Sequence, residues 1–325
     1  MAEGPHTVPV RLDPPRQVTD KTPWQRFTTS GPMLLFAASI CFAWMAVSVR
    51  GLTRFSPSET TFLRFAIGLV VLVIFHRLTL MPLRFVNRPM LVVRGLLGAG
   101  AVILYFTCIQ RTSAATATLL NNSYPLFAMI AGFFVGTVTV NLRLLALVGM
   151  SLAGMVIVAN PAWGNVGTGA AYGIASAAMA GAALIVIEKI RETDSAQATF
   201  FSMCVGGVII GLAGMVFHDR GMLVPTGPEW GWIILLGLTS TAAQLMMNHA
   251  LFYVKATQGS VVCVTTTAFT AVFAYFTFGE KVAWNFYPGA ALILTSAVIS
   301  ALTMARHPAE RPAEPPAAEP ERSAA

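Results

Sequence analysis

Acidic residues are what this 325-residue sequence has least of. No Asp or Glu stands between Glu59 and Glu188, and charged residues make up 11% of the chain, against roughly 25% in soluble domains. That gap rules out a water-facing surface over the stretch and leaves no paired carboxylates for acid–base chemistry. Cysteine is scarce as well. Cys41, Cys108, Cys204 and Cys263 are far apart, lie within apolar runs and form no CxxC, so they read as small buried hydrophobes and not as a disulfide framework or metal site. Only His76 and His249 fall within the apolar runs, with no metal-ligand spacing. The glycine-rich "GLLGAG" at 95–100 lacks the Lys-Ser or Lys-Thr of a phosphate-binding loop, so nothing points to ATP as the energy source.

What the sequence does contain is apolar length. Hydrophobic residues make up 55% of the chain, and the mean hydropathy is +0.68. A bilayer core of about 30 Å takes roughly 20 apolar residues in a helix. Ten segments meet that length: 31–49, 58–79, 91–110, 114–136, 142–160, 169–188, 196–217, 230–254, 259–278 and 284–304. The expectation is an all-α integral membrane protein. Helix-start signals agree, with Ser56-Pro57 and Glu59 forming a capping box and "TDS" at 193–195 offering a second start. The net charge of +7 would suggest nucleic acid in a soluble protein, but here it sits between the apolar runs and in the tails. Residues 1–30 show no signal-peptide core, and 305–325 are rich in Pro, Ala and Glu; both are expected to be disordered tails.

Lys and Arg set the orientation. Counting Arg94 with the second connection, fifteen fall on the side of the tails and even-numbered connections and five on the other, so both termini are expected in the cytoplasm. The halves also resemble each other. "YFTCIQRTSAATATLLNNSYP" (105–125) and "HALFYVKATQGSVVCVTTTAF" (249–269) share a long span, a basic residue (Arg111, Lys255), a short polar turn and a span of small and hydroxyl residues. With five spans per half, the second copy enters the membrane upside down, giving two inverted five-helix repeats over 31–160 and 169–304. Such repeats place a binding site between the halves at mid-membrane, open alternately to either side.

These features resemble the drug/metabolite transporters of the EamA type. The resemblance rests on Trp44, Arg64, "RTSAATATLLNNSYP" and "FTFGEKVAWNFYPGAALIL" at 276–294, with its Gly-Glu and a glycine ten residues later. It implies a ten-helix secondary transporter in a bacterial inner membrane, acting on amino acids, other organic acids or vitamins without a cofactor. The first half departs from the pattern: "FVGTVTVNLRLLALVG" at 134–149 has no Glu after the glycine, leaving that role to Glu280.

Polar residues inside the spans are the candidate site. Asn121, Asn122, Ser123, Tyr124 and Pro125 interrupt a span that would gain nothing from amides facing lipid. Pro125 has no N–H and displaces the Asn121 carbonyl, which creates a polar notch. The equivalent locus in the other half is Thr265 to Thr267, with Thr266 at its centre; helix-to-helix bonds worth about 0.6 kcal/mol each are the competing reading for both. Gln244, Asn248 and His249 are read as one helix face, with His249 aligned to Tyr105 of the first half. Trp44 would wall a ring-bearing substrate. Arg64, about 9 Å into its helix, would bind an anionic group or tether carbonyls. Gly173 belongs to a small-residue face (Gly169, Gly173, Ala177, Gly181) suited to close helix contact.

The expected partners are a small-molecule substrate and the lipid bilayer, with pairing into a homodimer left open. The expected activity is alternating-access transport of a small polar or amphipathic metabolite, efflux or exchange favoured. A non-transporting assembly or sensing protein is the alternative, and a membrane-embedded enzyme a more distant one.

Overall fold

A computed structural model describes residues 30–306 apart from 79–82, 84, 113, 137–141, 160–167, 191, 218–222, 252–253, 255–258, 260–261, 280–283 and 285. The described residues include eleven helices: α1 (Gly31–Gly51), α2 (Pro57–Arg77), α3 (Arg88–Arg111), α4 (Ala114–Asn121), α5 (Tyr124–Val135), α6 (Leu142–Ala159), α7 (Thr168–Ile190), α8 (Ala196–Phe217), α9 (Gly227–Ala250), α10 (Thr266–Phe278) and α11 (Phe286–Arg306). Six of them, α1, α2, α3, α7, α8 and α9, are long and apolar enough to cross a membrane.

The distribution of polarity is that of a membrane protein. Val92, Phe134, Ile209, Phe217 and Leu238 are exposed, whereas Arg64, Arg94, Asn122, Gln244, Asn248 and Thr267 are buried. Against water this arrangement would be inside out. Against lipid it places these costly groups within protein.

Caps define the helix starts. Ser56 and Glu59 form the capping box expected for α2, with Ser56 N donating to Glu59 Oε2 at 2.7 Å and Glu59 N to Ser56 Oγ at 3.1 Å. Ser195 Oγ accepts from Ala198 N at 3.1 Å at the start of α8. Thr226 and Glu229 build a second capping box on α9. Both Glu59 and Asp194 also reach across the chain. Glu59 Oε1 accepts from Leu223 N at 2.5 Å, ahead of α9, and Asp194 accepts from Val86 N at 2.6 Å and Asn87 N at 3.0 Å, ahead of α3.

The fourth predicted span is broken into two helices. Pro125 stands at the start of α5, and its missing N–H and its ring prevent α4 from running on through Asn122 and Ser123. Ser123 N closes a tight turn onto Leu120 O at 3.1 Å; in the second half Thr267 N does the same onto Val264 O at 3.1 Å, just where α10 begins. Both following helices end on a glycine with left-handed backbone, Gly136 (φ 76°) and Gly279 (φ 67°), a conformation that glycine adopts without steric cost.

Packing follows one pattern. The first helix rests on α9 as α3 rests on α7; α3 meets α8 as α9 meets α2; α5 meets α7 as α10 meets α1; and α2 pairs with α8, α6 with α11. Small residues permit these approaches. A side chain at Gly181 would meet Ala128 N at 2.6 Å on α5, and one at Gly173 would meet Leu120 Cβ at 2.7 Å and Cys108 Sγ at 3.0 Å. The close contact expected of this glycine face is therefore present.

One count is corrected. Arg94 lies six residues inside α3 and is only 2% exposed, so it is not a charge of the second connection. Without it the basic excess on the expected cytoplasmic side is fourteen against five.

Candidate functional site

Between the helices lies a cavity of about 120 Å³. Residues from both halves of the chain line it. Phe42 and Met45 of α1, Met203 of α8 and Met247 of α9 give apolar walls, and Leu184 and Ile187 of α7 extend them. The polar groups come from the chain break and its neighbours.

Asn121 lines the cavity, with its Oδ1 accepting from Ser176 Oγ at 2.8 Å. Asn122, 4% exposed, lines it too and donates through Nδ2 to Thr267 Oγ1 at 2.6 Å. This bond joins the chain break of the first half to its counterpart in the second. Tyr105 shares a 2.7 Å hydrogen bond with Thr118, which in turn donates to Ala114 O at 2.6 Å. Tyr124 and Thr266 complete the lining, with Thr266 Oγ1 donating to Cys263 O at 2.6 Å. Gln244 enters from α9 and donates to Asn248 Oδ1 at 3.1 Å. Asn248 is fully buried behind it and donates to Ala196 O at 3.3 Å, so it orients Gln244 and does not itself form the wall.

Arginine supplies the charge. Arg64 and Arg94 both line the cavity, and each is 2% exposed. Nε and Nη1 of both are buried without an acceptor among the described residues. Among the described residues that line it, none is Asp or Glu. The Arg64 guanidinium lies over the rings of Phe65 and Phe106, with Cζ 4.8 and 5.7 Å from their centroids. Cation–π contact of this kind offsets part of the cost of burial, which is about several kcal/mol for an ion without a partner.

Other expected residues fall elsewhere. Trp44 stacks on Phe273 with ring centroids 4.7 Å apart, on the face of α1 covered by α10 and outside the cavity lining. His249 is exposed and is not among the residues that line the cavity. Pro125 is buried at the start of α5 and shapes the break. Gly173 lets α7 approach α3 and α4. Glu280 lies outside the described residues. Arg94 and Thr118 are the polar lining residues that the sequence reading does not pick out. For Arg94 the available signal is its position inside an apolar run, with Gly98 one turn later.

Known proteins give a consistent context. The chain is 26% identical over 286 residues to an uncharacterized transporter of Helicobacter pylori strain J99, covering 84% of this chain and 94% of that one. It is 24% identical over 277 residues to the pseudopaline exporter CntI of Pseudomonas aeruginosa, covering 84% and 96%. Among solved structures, one titled "Crystal structure of protein" matches with a TM-score of 0.71 at 17% identity, over 85% of this chain and 98% of that chain; the likeness is one of fold. Residues 29–160 and 167–302 each match the EamA-like transporter family, one match in each half. With most of its length accounted for in this way, the chain belongs to the EamA-like transporter family.

Proposed function

We propose that the protein is a secondary carrier that moves a small polar or amphipathic metabolite across the membrane by alternating access. The substrate is amino-acid-like, another organic acid or a vitamin. The observation that carries this reading is the cavity itself, lined by both halves and bridged by the Asn122–Thr267 hydrogen bond between the two chain breaks. A site between two halves is what rocking of one against the other would open to each side in turn.

Ten spans in two inverted repeats remain our reading of the topology. The helix pairs support it: exchanging the first-half helices with their second-half counterparts maps the main pairings described above onto one another. Both termini in the cytoplasm follow from the basic excess. A relative named as an exporter favours the outward direction. Within this reading, Asn121, Asn122, Tyr105, Tyr124, Gln244 and Thr266 contact the substrate, and Asn248 positions Gln244.

The test is flux. Protein reconstituted in liposomes is loaded with labelled metabolite pools, and release is compared for wild type, Asn122→Leu and Gln244→Leu. Both variants are expected to reach the membrane folded and to lose at least tenfold in rate. Wild-type rates in both would remove these residues from the pathway, and absence of release by the wild type across amino acids, organic acids and vitamins would refute the carrier.

A further inference from the structure

We propose that Arg64 and Arg94 form a two-guanidinium site for a small organic dianion, two carboxylates on a short carbon body being the chemistry that fits. The inference rests on the carrier reading for its biological meaning, but its evidence is separate. Both side chains line the same cavity, both are 2% exposed, and Nε and Nη1 of each face no acceptor among the described residues. Among the described residues that line the cavity, none carries a compensating negative charge.

The direction of Arg94 argues against a merely structural role. Arginine near a helix end in a membrane normally snorkels back to the interface. From its place six residues into α3, Arg94 could do so towards the start of the helix at Arg88. Instead its guanidinium packs forward, where a side chain at Gly98 would stand, one turn deeper and beside Met203. A Cβ at position 98 would overlap Nη1 of Arg94. The sequence thus reserves space for the charge inside the cavity.

Arg64 is prepared differently. Phe65 and Phe106 cover the guanidinium at 4.8 and 5.7 Å, which leaves its N–H edge for an acceptor lying in its plane. In-plane, forked donation is the geometry with which arginine binds carboxylate. Asn121, Asn122 and Gln244 offer amide groups to other polar parts of the ligand, and Phe42, Met45 and Met203 face its carbon.

The experiment measures binding to the full-length protein in phosphatidylcholine nanodiscs. Succinate, glutarate, aspartate and glutamate are each paired with the neutral amide of the same skeleton (succinamide, glutaramide, asparagine, glutamine). At least one anion is expected to bind ten times more tightly than its amide. Arg64→Gln and Arg94→Gln should each weaken that binding tenfold or more while leaving the melting temperature of the ligand-free protein unchanged or raised, because each removes an unpaired buried charge. Gly98→Ala should weaken it too, by displacing a guanidinium that is still present.

Several results would overturn the site: no anion bound by the wild type, anion and amide bound alike, or affinity within threefold in both arginine variants. A lowered melting temperature with anion binding retained would make the arginines structural tethers. Stabilisation only after phosphatidylglycerol is added would identify a lipid headgroup as the occupant and refute a soluble substrate. The two readings fail separately. Arginine-dependent anion binding without any flux in liposomes keeps the site and refutes the carrier, whereas flux of neutral solutes without anion binding does the reverse.

Discussion

Replacing Thr267 by Val removes one atom that matters and almost no volume. Thr267 Oγ1 accepts from Asn122 Nδ2 at 2.6 Å, and the two residues are 0% and 4% exposed. In a dry interior, an amide deprived of its acceptor would cost about 1–3 kcal/mol. Two considerations lower that figure. Hydrogen bonds between membrane helices average about 0.6 kcal/mol and reach about 1.7, since the unfolded helices also find partners in the membrane. Asn122 also borders the cavity, where water can reach the freed N–H. We therefore expect Thr267→Val to destabilise the protein by about 1 kcal/mol. Asn122→Leu should cost more, because it also changes shape in a packed interior. The decisive quantity is the coupling between Thr267→Val and Asn122→Leu, measured by denaturant unfolding in detergent micelles as a double-mutant cycle. A coupling of about 0.6–1.7 kcal/mol is expected. A value within error of zero would mean that the two chain breaks do not hold one another, and that this contact between the halves contributes nothing.

Two other substitutions test the frame around the site. Gly181→Ala places a methyl group 2.6 Å from Ala128 N and should cost about 1–3 kcal/mol, whereas Gly149→Ala and Gly231→Ala meet nothing within 4 Å and should be close to neutral; equal melting temperatures for all three would refute the close approach of α7 to α5. Asp194→Asn replaces a carboxylate that binds the N–H groups of Val86 and Asn87 with a neutral side chain and should cost about 1–2 kcal/mol. Hydrogen exchange at Val86 and Asn87 should accelerate accordingly, and unchanged exchange would show that the clasp on α3 lies elsewhere.

How much of this can be read from the sequence depends on how local the cause is. Hydropathy locates the helices because lipid imposes a length on each. The notch at Asn121 to Pro125 is legible because proline breaks a helix wherever it stands, although sequence alone anticipates a kinked span and the structure has two helices. His249 illustrates a limit of face arithmetic. Five residues advance a helix by about 140° beyond a full turn, so His249 leaves the face of Gln244, whereas Asn248, four residues on, stays behind it. Trp44 next to Met45 is the same problem one residue apart: about 100° of rotation hands the ring to Phe273 and leaves Met45 in the cavity. Arg94 is harder still, since depth in the membrane depends on which way a long side chain turns. Only the glycine at position 98, and the helix that packs against it, decide that.

The scarcity of acid then takes on a second meaning. A proton-driven carrier needs a group that gains and loses a proton within the cavity, and among the described residues that line it none is a carboxylate or a histidine. If the substrate is a dianion, none is required. Arg64 and Arg94 begin and end each cycle in the same place, so the charge moved per turnover is that of the substrate. Two negative charges leaving a cell with an interior potential of about −100 mV release about 4.6 kcal/mol, enough to sustain a gradient of more than about a thousandfold. The same voltage would oppose uptake by the same amount. On the proposed reading a dianion carried outward is driven by its own charge, and efflux indifferent to an imposed interior-negative potential would instead require a one-for-one exchange of like-charged solutes.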